Sequence, residues 1–274
     1  MKRVVLYGLL VMLLMGICLF GIRAYGEAKA YEASTQRLVA QMAPEKVASY
    51  RAKEWAERLS LGFYKNKQRE EMARIAKEGE RHRAKSIHYT LYAMGLLALL
   101  LGFYFLVSLR AFTFFGAAVA GIMLFFGLMT PILMVTIHKE VAYLGDVVLS
   151  FESKSVIGSI AKLFGNGDGI VASVILLFSV LIPFVKTVAL MVVALFMQSR
   201  FAHGVVAFFK MIGKWSMVDV FVVATFLVYL TVDKGEVSRA EAEVGLYFFL
   251  AYVIISMLVS LSADKMLHGG KEKH

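Results

Sequence analysis

Two short strings place polar chemistry inside apolar sequence. The first is Phe178-Ser179-Val180-Leu181-Ile182-Pro183-Phe184-Val185-Lys186-Thr187, and the second is Gly213-Lys214-Trp215-Ser216-Met217-Val218-Asp219-Val220-Phe221. An ionisable side chain in hydrocarbon is costly, so it needs a partner, a wet cavity or an escape to the interface. Pro183 leaves the carbonyl of Ser179 without its helical donor, and the kink makes room for another group to bind there. Ser179 and Lys186 are seven residues apart and share a helix face. Ser216 and Asp219 share another, being three apart. If the two segments are antiparallel neighbours, Asp219 lies within reach of the Lys186 stem. Such a pair would form a polar site inside the bilayer. Thr130-Pro131 marks a further helix break, and Lys214 and Trp215 suit the headgroup belt at the rim. Each feature also has a plainer reading: a snorkelling lysine, an aspartate in interfacial water, a simple kink. Their co-occurrence in adjacent segments favours one paired site.

The elements that must position these residues are membrane helices. Of 274 residues, 59% are hydrophobic and 18% are charged, well outside the soluble norm. Six runs are long enough to cross roughly 30 Å of hydrocarbon: Val4–Ile22, Tyr89–Leu109, Phe112–Ile137, Ile170–Met197, Met217–Val232 and Val244–Leu261. The 198–215 loop carries Arg200, Lys210 and Lys214 without an acid, whereas the 233–243 loop is rich in acids. With Lys2–Arg3 and the lysines of the 266–274 tail, this predicts both termini in the cytoplasm. The first run has a second reading as a cleaved signal peptide, with Ala24-Tyr25-Gly26 as a small-x-small site. Either way residues 23–88 lie outside.

That outer segment forms a charged arm. Between Arg23 and Lys85 stand 15 of the 30 basic residues and 9 of the 20 acids, so it holds +6 of the net +10. Its composition is helical, and Pro44 suits the first turn of a return helix. The expectation is a hairpin turning near Ala43–Pro44, with Gly62, Asn66 and Gly79 as candidate breaks on the return. Its sparse apolar pairs make one narrow stripe, which either seals the two arms together or docks a partner. After the third run, apolar residues from Val147 to Phe164 recur at helical intervals, predicting an amphipathic helix over about 141–164 on the outer leaflet.

Other classes of function fit poorly. The excess of +10 is spent on topology and the arm, which removes the case for nucleic-acid binding. The six histidines form no i,i+4 ligand pair, and neither GxSxG nor a glycine-rich phosphate loop is present, so neither an enzyme nor a metal or other cofactor is expected.

The two strings, with Ser150-Phe151 ahead of Ser155, Ile157 and Ile160 and with the Pro131 break, resemble the paraquat-inducible protein A family of bacterial inner-membrane proteins. The resemblance covers about residues 112–265. It implies a four-helix, tetraspanin-like module over 111–265 that works with a periplasmic MCE-domain partner in moving lipid between the inner and outer membranes. The implied lipid-binding positions are Ser179, Pro183, Lys186, Ser216 and Asp219, backed by Thr130 and Pro131, with Lys214 and Trp215 at the rim. Two departures stand out: the module occurs once, and the lone Cys18 cannot build the CxxC zinc ribbons many members carry. The whole chain is therefore expected to be an all-α integral membrane protein: a first span (1–22), the arm (23–88), a second span (89–110), the module and a cytoplasmic tail. Two other functions compete with lipid transport: a membrane-anchored scaffold or sensor whose arm binds a periplasmic protein, and a small-solute carrier.

Overall fold

The structure is a computed structural model, which describes residues 2–41, 67–141, 145–195 and 238–268. Six helices and a small sheet are seen there. Helix α1 spans Lys2–Gln41 and α2 spans Lys67–Gly102. A 3₁₀ turn at Phe103–Phe105 leads to α3, Leu109–Met129. Strands β1 (Leu133–Val141) and β2 (Gly145–Lys154) precede the short α4, Val156–Gly165. The long helix α5, Gly169–Leu195, carries a π-helical turn at Leu177–Leu181. Strand β3 (Ser238–Ala242) leads into α6, Val244–His268. Five of these helices, all but α4, are long and apolar enough to cross a bilayer. The chain is a multi-pass membrane protein. The expected span Met217–Val232 lies outside the described residues.

Helices α1 and α2 pair along their length and leave the hydrocarbon without interruption. His82 Nδ1 lies 2.5 Å from Glu27 Oε2, and Ser86 Oγ donates to the Ala24 carbonyl at 3.1 Å. Over these residues the two helices pack directly on each other; the apolar stripe from Met42 to Leu59 lies outside the described residues. Gly79 does not break α2, contrary to expectation. It is buried where α1 approaches, and a Cβ there would lie 2.9 Å from Ser34 Oγ. The absence of a side chain is used for close packing, with no helix break. The turn of the hairpin, with Pro44, Gly62 and Asn66, lies outside the described residues.

Helices α3 and α6 pack closely. A Cβ on Gly127 would come within 2.8 Å of the Phe249 amide nitrogen, and one on Gly116 within 2.6 Å of Val259 Cγ2. Small residues permit such approach where lipid offers no hydrophobic drive for helix association. Around this seam Phe126, Phe248, Tyr252, Ile255 and Val259 are buried, while Val4, Leu91, Phe125, Phe184 and Ile254 point outward. Apolar exposure of that kind is what a lipid-facing surface requires.

The segment after α3 corrects two expectations. The third span does not continue to Ile137; it ends at Met129, capped by Thr130, whose amide donates to Phe126 O. Pro131 then stops the helix, so Thr130-Pro131 is a terminus and not a kink within a span. Residues 133–141 and 145–154 pair as antiparallel strands in place of the first part of the predicted 141–164 helix, and helix begins only at Val156. The run Leu133-Met134-Val135-Thr136-Ile137 is rich in β-branched residues that favour strands. Strand β1 is central, in the order β2-β1-β3, and Leu133 pairs with both Lys154 and Ala242. The fold is thus helical, with this small sheet at the ends of its spans. Ser155 caps α4, accepting from the Gly158 amide at 3.1 Å, and Gly167 at φ +90° makes the left-handed turn after it.

The sheet marks one end of the bundle. Arg110 marks the other, donating to Ala194 O at 2.8 Å and Leu195 O at 2.7 Å at the C-terminus of α5. Leu195 and Ser238 thus stand at opposite ends.

Candidate functional site

The site is built on α5. Pro183 has no amide hydrogen to give Ser179, and the helix absorbs this through the wider π turn just before it, closed by the Ile182 amide on Leu177 O. Beyond that turn the helix sorts its side chains by face. Pro183, Lys186, Thr187, Leu190, Val193 and Ala194 are buried, whereas Phe184, Val185, Val188 and Leu195 are exposed toward lipid. Lys186 is only 8% exposed. It lies on the inward face and does not run out along the lipid face, and it makes a polar or electrostatic contact. Ser179 is half-buried within the π turn.

The Pro183 carbonyl is the acceptor around which neighbours converge. Thr187 Oγ1 donates to it at 2.9 Å, and Tyr252 Oη reaches it from α6 at 3.4 Å. Tyr252 is fully buried, and Ser256, one turn further along α6, is 3% exposed with no hydrogen-bond partner for its Oγ. On the α3 side, Gly121 faces the Thr187 methyl, with 3.5 Å left for a Cβ. Thr187 and the Pro183 carbonyl therefore lie in a layer made by α3, α5 and α6, and Lys186 is buried beside them on the same helix.

Of the sequence-predicted residues, Pro183 and Lys186 are brought together, with Ser179 above them. Thr130 and Pro131 are not part of that cluster. Gly121 is level with Thr187, and the nine residues from there to Thr130 rise ~13 Å toward the sheet. Both are buried at the sheet end, where the Gly245 amide donates to Pro131 O at 3.0 Å. Thr130 Oγ1 is completely buried without a hydrogen-bond partner. Lys214, Trp215, Ser216 and Asp219 lie outside the described residues.

The sequence reading missed Thr187, Tyr252 and Ser256. Tyr252 and Ser256 are an i,i+4 pair on one face of the last span, a signal that was available but resembles ordinary filler in an apolar run. It also missed Glu243, 4% exposed at the start of α6, having counted it as a loop charge. Burial, with the nearby charge of Glu241, pushes its carboxyl up to about 7 against the opposing pull of Arg83. A cleft of about 550 Å³ opens at the sheet end between α1 and α4, lined by Glu32, Gln36, Glu152, Lys154 and Lys162. There Lys162 and Lys154 pair with Glu152 at 2.6 and 3.1 Å and hold its carboxyl below the usual range. Among the described residues no cluster of three or more His, Cys, Asp or Glu is placed to hold a metal ion.

The family model described as Paraquat-inducible protein A matches residues 113–268, more than half of the chain. Neither a curated protein nor a solved structure matches it.

Proposed function

The chain belongs to the paraquat-inducible protein A family, and from that premise we propose that it is an inner-membrane subunit of a lipid transport system. In this reading it passes phospholipid or another lipid to or from a periplasmic MCE-domain partner and catalyses no covalent chemistry. The sheet end and the α1–α2 arm face the periplasm, and both termini are cytoplasmic.

One observation carries the proposal: Lys186 is buried on the inward face of a spanning helix, a turn from a proline-centred irregularity. A lysine in that position is retained against a cost of about 2.5–3.5 kcal/mol relative to an apolar residue. A role in meeting a headgroup phosphate accounts for that cost. Asp219 keeps the lysine charged between encounters, Ser179 and Ser216 offer hydroxyls to the same headgroup, and Lys214 and Trp215 fix the rim. Pro183 keeps the backbone open beside them.

The test uses Lys186→Ala and Asp219→Ala in the full chain, scored for membrane abundance and for lipid exchange between the two membranes. Both variants should reach wild-type abundance and lose exchange. If both exchanged lipid as the wild type does, the site assignment would be wrong.

A further inference from the structure

The junction between arm and module contains a carboxyl that lipid handling at Lys186 does not use. We propose that Glu243 is a proton-binding site that latches the arm onto the membrane module, holding it docked when protonated and loosening it when ionised.

Glu243 sits where three parts of the molecule meet. Its own amide donates to Ile132 O at 2.9 Å, which fixes the start of α6 to the start of β1. Its side chain is 4% exposed, and Oε1 has no hydrogen-bond partner. The charges that act on it come from each neighbouring element: Arg83 from α2, Glu32 from α1 and Glu241 from β3. Arg83 is already engaged, with Nη2 3.1 Å from Glu241 Oε2 and its guanidinium 5.8 Å from the centre of the Tyr31 ring. That bridge and cation–π contact join both arm helices to the module.

A negative charge on Glu243 would enter this junction desolvated, beside two other carboxylates and one arginine that is already paired. Burial outweighs the pull of Arg83 and the hydrogen bond from the Val244 amide, both of which favour the ionised form. The neutral form carries no such penalty. Because the docked carboxyl titrates at about 7, above the solvent-exposed range, the docked state binds the proton more tightly than the undocked one. Docking is then fully favoured below the exposed carboxyl's range and weakens as pH rises through about 7. A periplasmic surface follows the pH outside the cell, so the latch would report external pH to the arm.

The experiment uses the full chain in phospholipid nanodiscs on a Cys18→Ser background. Spin labels at Lys77→Cys on the arm and Gly165→Cys at the end of α4 report their separation by pulsed electron resonance. One narrow distance is expected at pH 5.5, broadening and lengthening above pH 7.5. Glu243→Gln, neutral at every pH, should hold the narrow distance through pH 8.5. Infrared difference spectra should show a protonated-carboxyl band that titrates near pH 7 and is missing in Glu243→Gln. A wild-type distance that is the same at pH 5.5 and 8.5, or a Glu243→Gln protein that broadens as the wild type does, would overturn the latch. So would the absence of the carboxyl band.

Discussion

Adding one methyl at Gly127 tests the packing that holds the polar layer in place. The new Cβ would stand 2.8 Å from the Phe249 amide nitrogen, 2.9 Å from its Cα and 3.0 Å from its Cβ. Backbone cannot rotate away, so α3 and α6 must part locally by a good fraction of an ångström. Overpacking of this kind costs about 1–3 kcal/mol, and the rigidity of the obstacle places it at the upper end. Alanine returns about 1 kcal/mol of helix propensity, leaving a net loss of about 2 kcal/mol. Gly121→Ala is the control. Its Cβ would meet the Thr187 methyl at 3.5 Å, an ordinary contact, so that variant should keep the propensity gain. The two should differ by about 3 kcal/mol, or ~6–12 °C in apparent melting temperature for a chain of this size. Size-exclusion thermal melts in detergent measure this. Gly116→Ala sharpens the argument, because its clash is with Val259 Cγ2, a side-chain atom, at 2.6 Å. Adding Val259→Ala should recover part of that loss, so the double variant loses less than the sum of the singles. Phe249→Ala should not rescue Gly127→Ala, since the backbone obstacle remains. If Gly127→Ala melted within about 2 °C of Gly121→Ala, the α3–α6 seam would not be the close contact described.

Two further substitutions address the ends and the centre of α5. Arg110→Gln removes the charged donor to the Ala194 and Leu195 carbonyls; a cost of about 1–3 kcal/mol is expected, together with faster amide exchange over the last turn of α5, read by hydrogen-exchange mass spectrometry. Tyr252→Phe removes a long bond, 3.4 Å, to a carbonyl that keeps its Thr187 donor. Its stability loss should be ~0.5–1.5 kcal/mol in the same thermal melts, while lipid exchange falls if the Pro183 layer handles the headgroup.

What the sequence revealed depended on how local the determining physics is. The inward placement of Lys186 follows from a helical period that turns Phe184, Val185 and Val188 to lipid, so its burial was legible within a few turns of one helix. The sheet could not be found that way. Val147, Val148 and Phe151 fit a helical face by spacing alone, yet the hairpin includes a third strand at Ser238–Ala242, about a hundred residues further on. Glu243 was obscured for a related reason. Among Asp233, Glu236 and Glu241 it reads as one more orienting charge. Its burial comes from β1, α1 and α2 closing over the start of α6, none of which its neighbours in sequence reveal. Thr130 and Pro131 were recognised as a break, but whether a proline kinks a helix or ends it depends on what the chain pairs with next.

The arrangement also says which element is free to change. Helices α3 and α6 are locked at the sheet end by Glu243 N on Ile132 O and Gly245 N on Pro131 O, and along their length by glycine contacts with backbone and β-branched side chains. A shift of either would break close packing at several levels together. Helix α5 is different. Its π turn holds five residues in a hydrogen-bond pattern that can relax to α-helix, and much of its outer face meets lipid. Lys186 therefore rides on the helix that carries the irregularity, and the close-packed pair lies beside that helix. Relaxing the π turn to α-helix would rotate Lys186 about the α5 axis relative to α3 and α6.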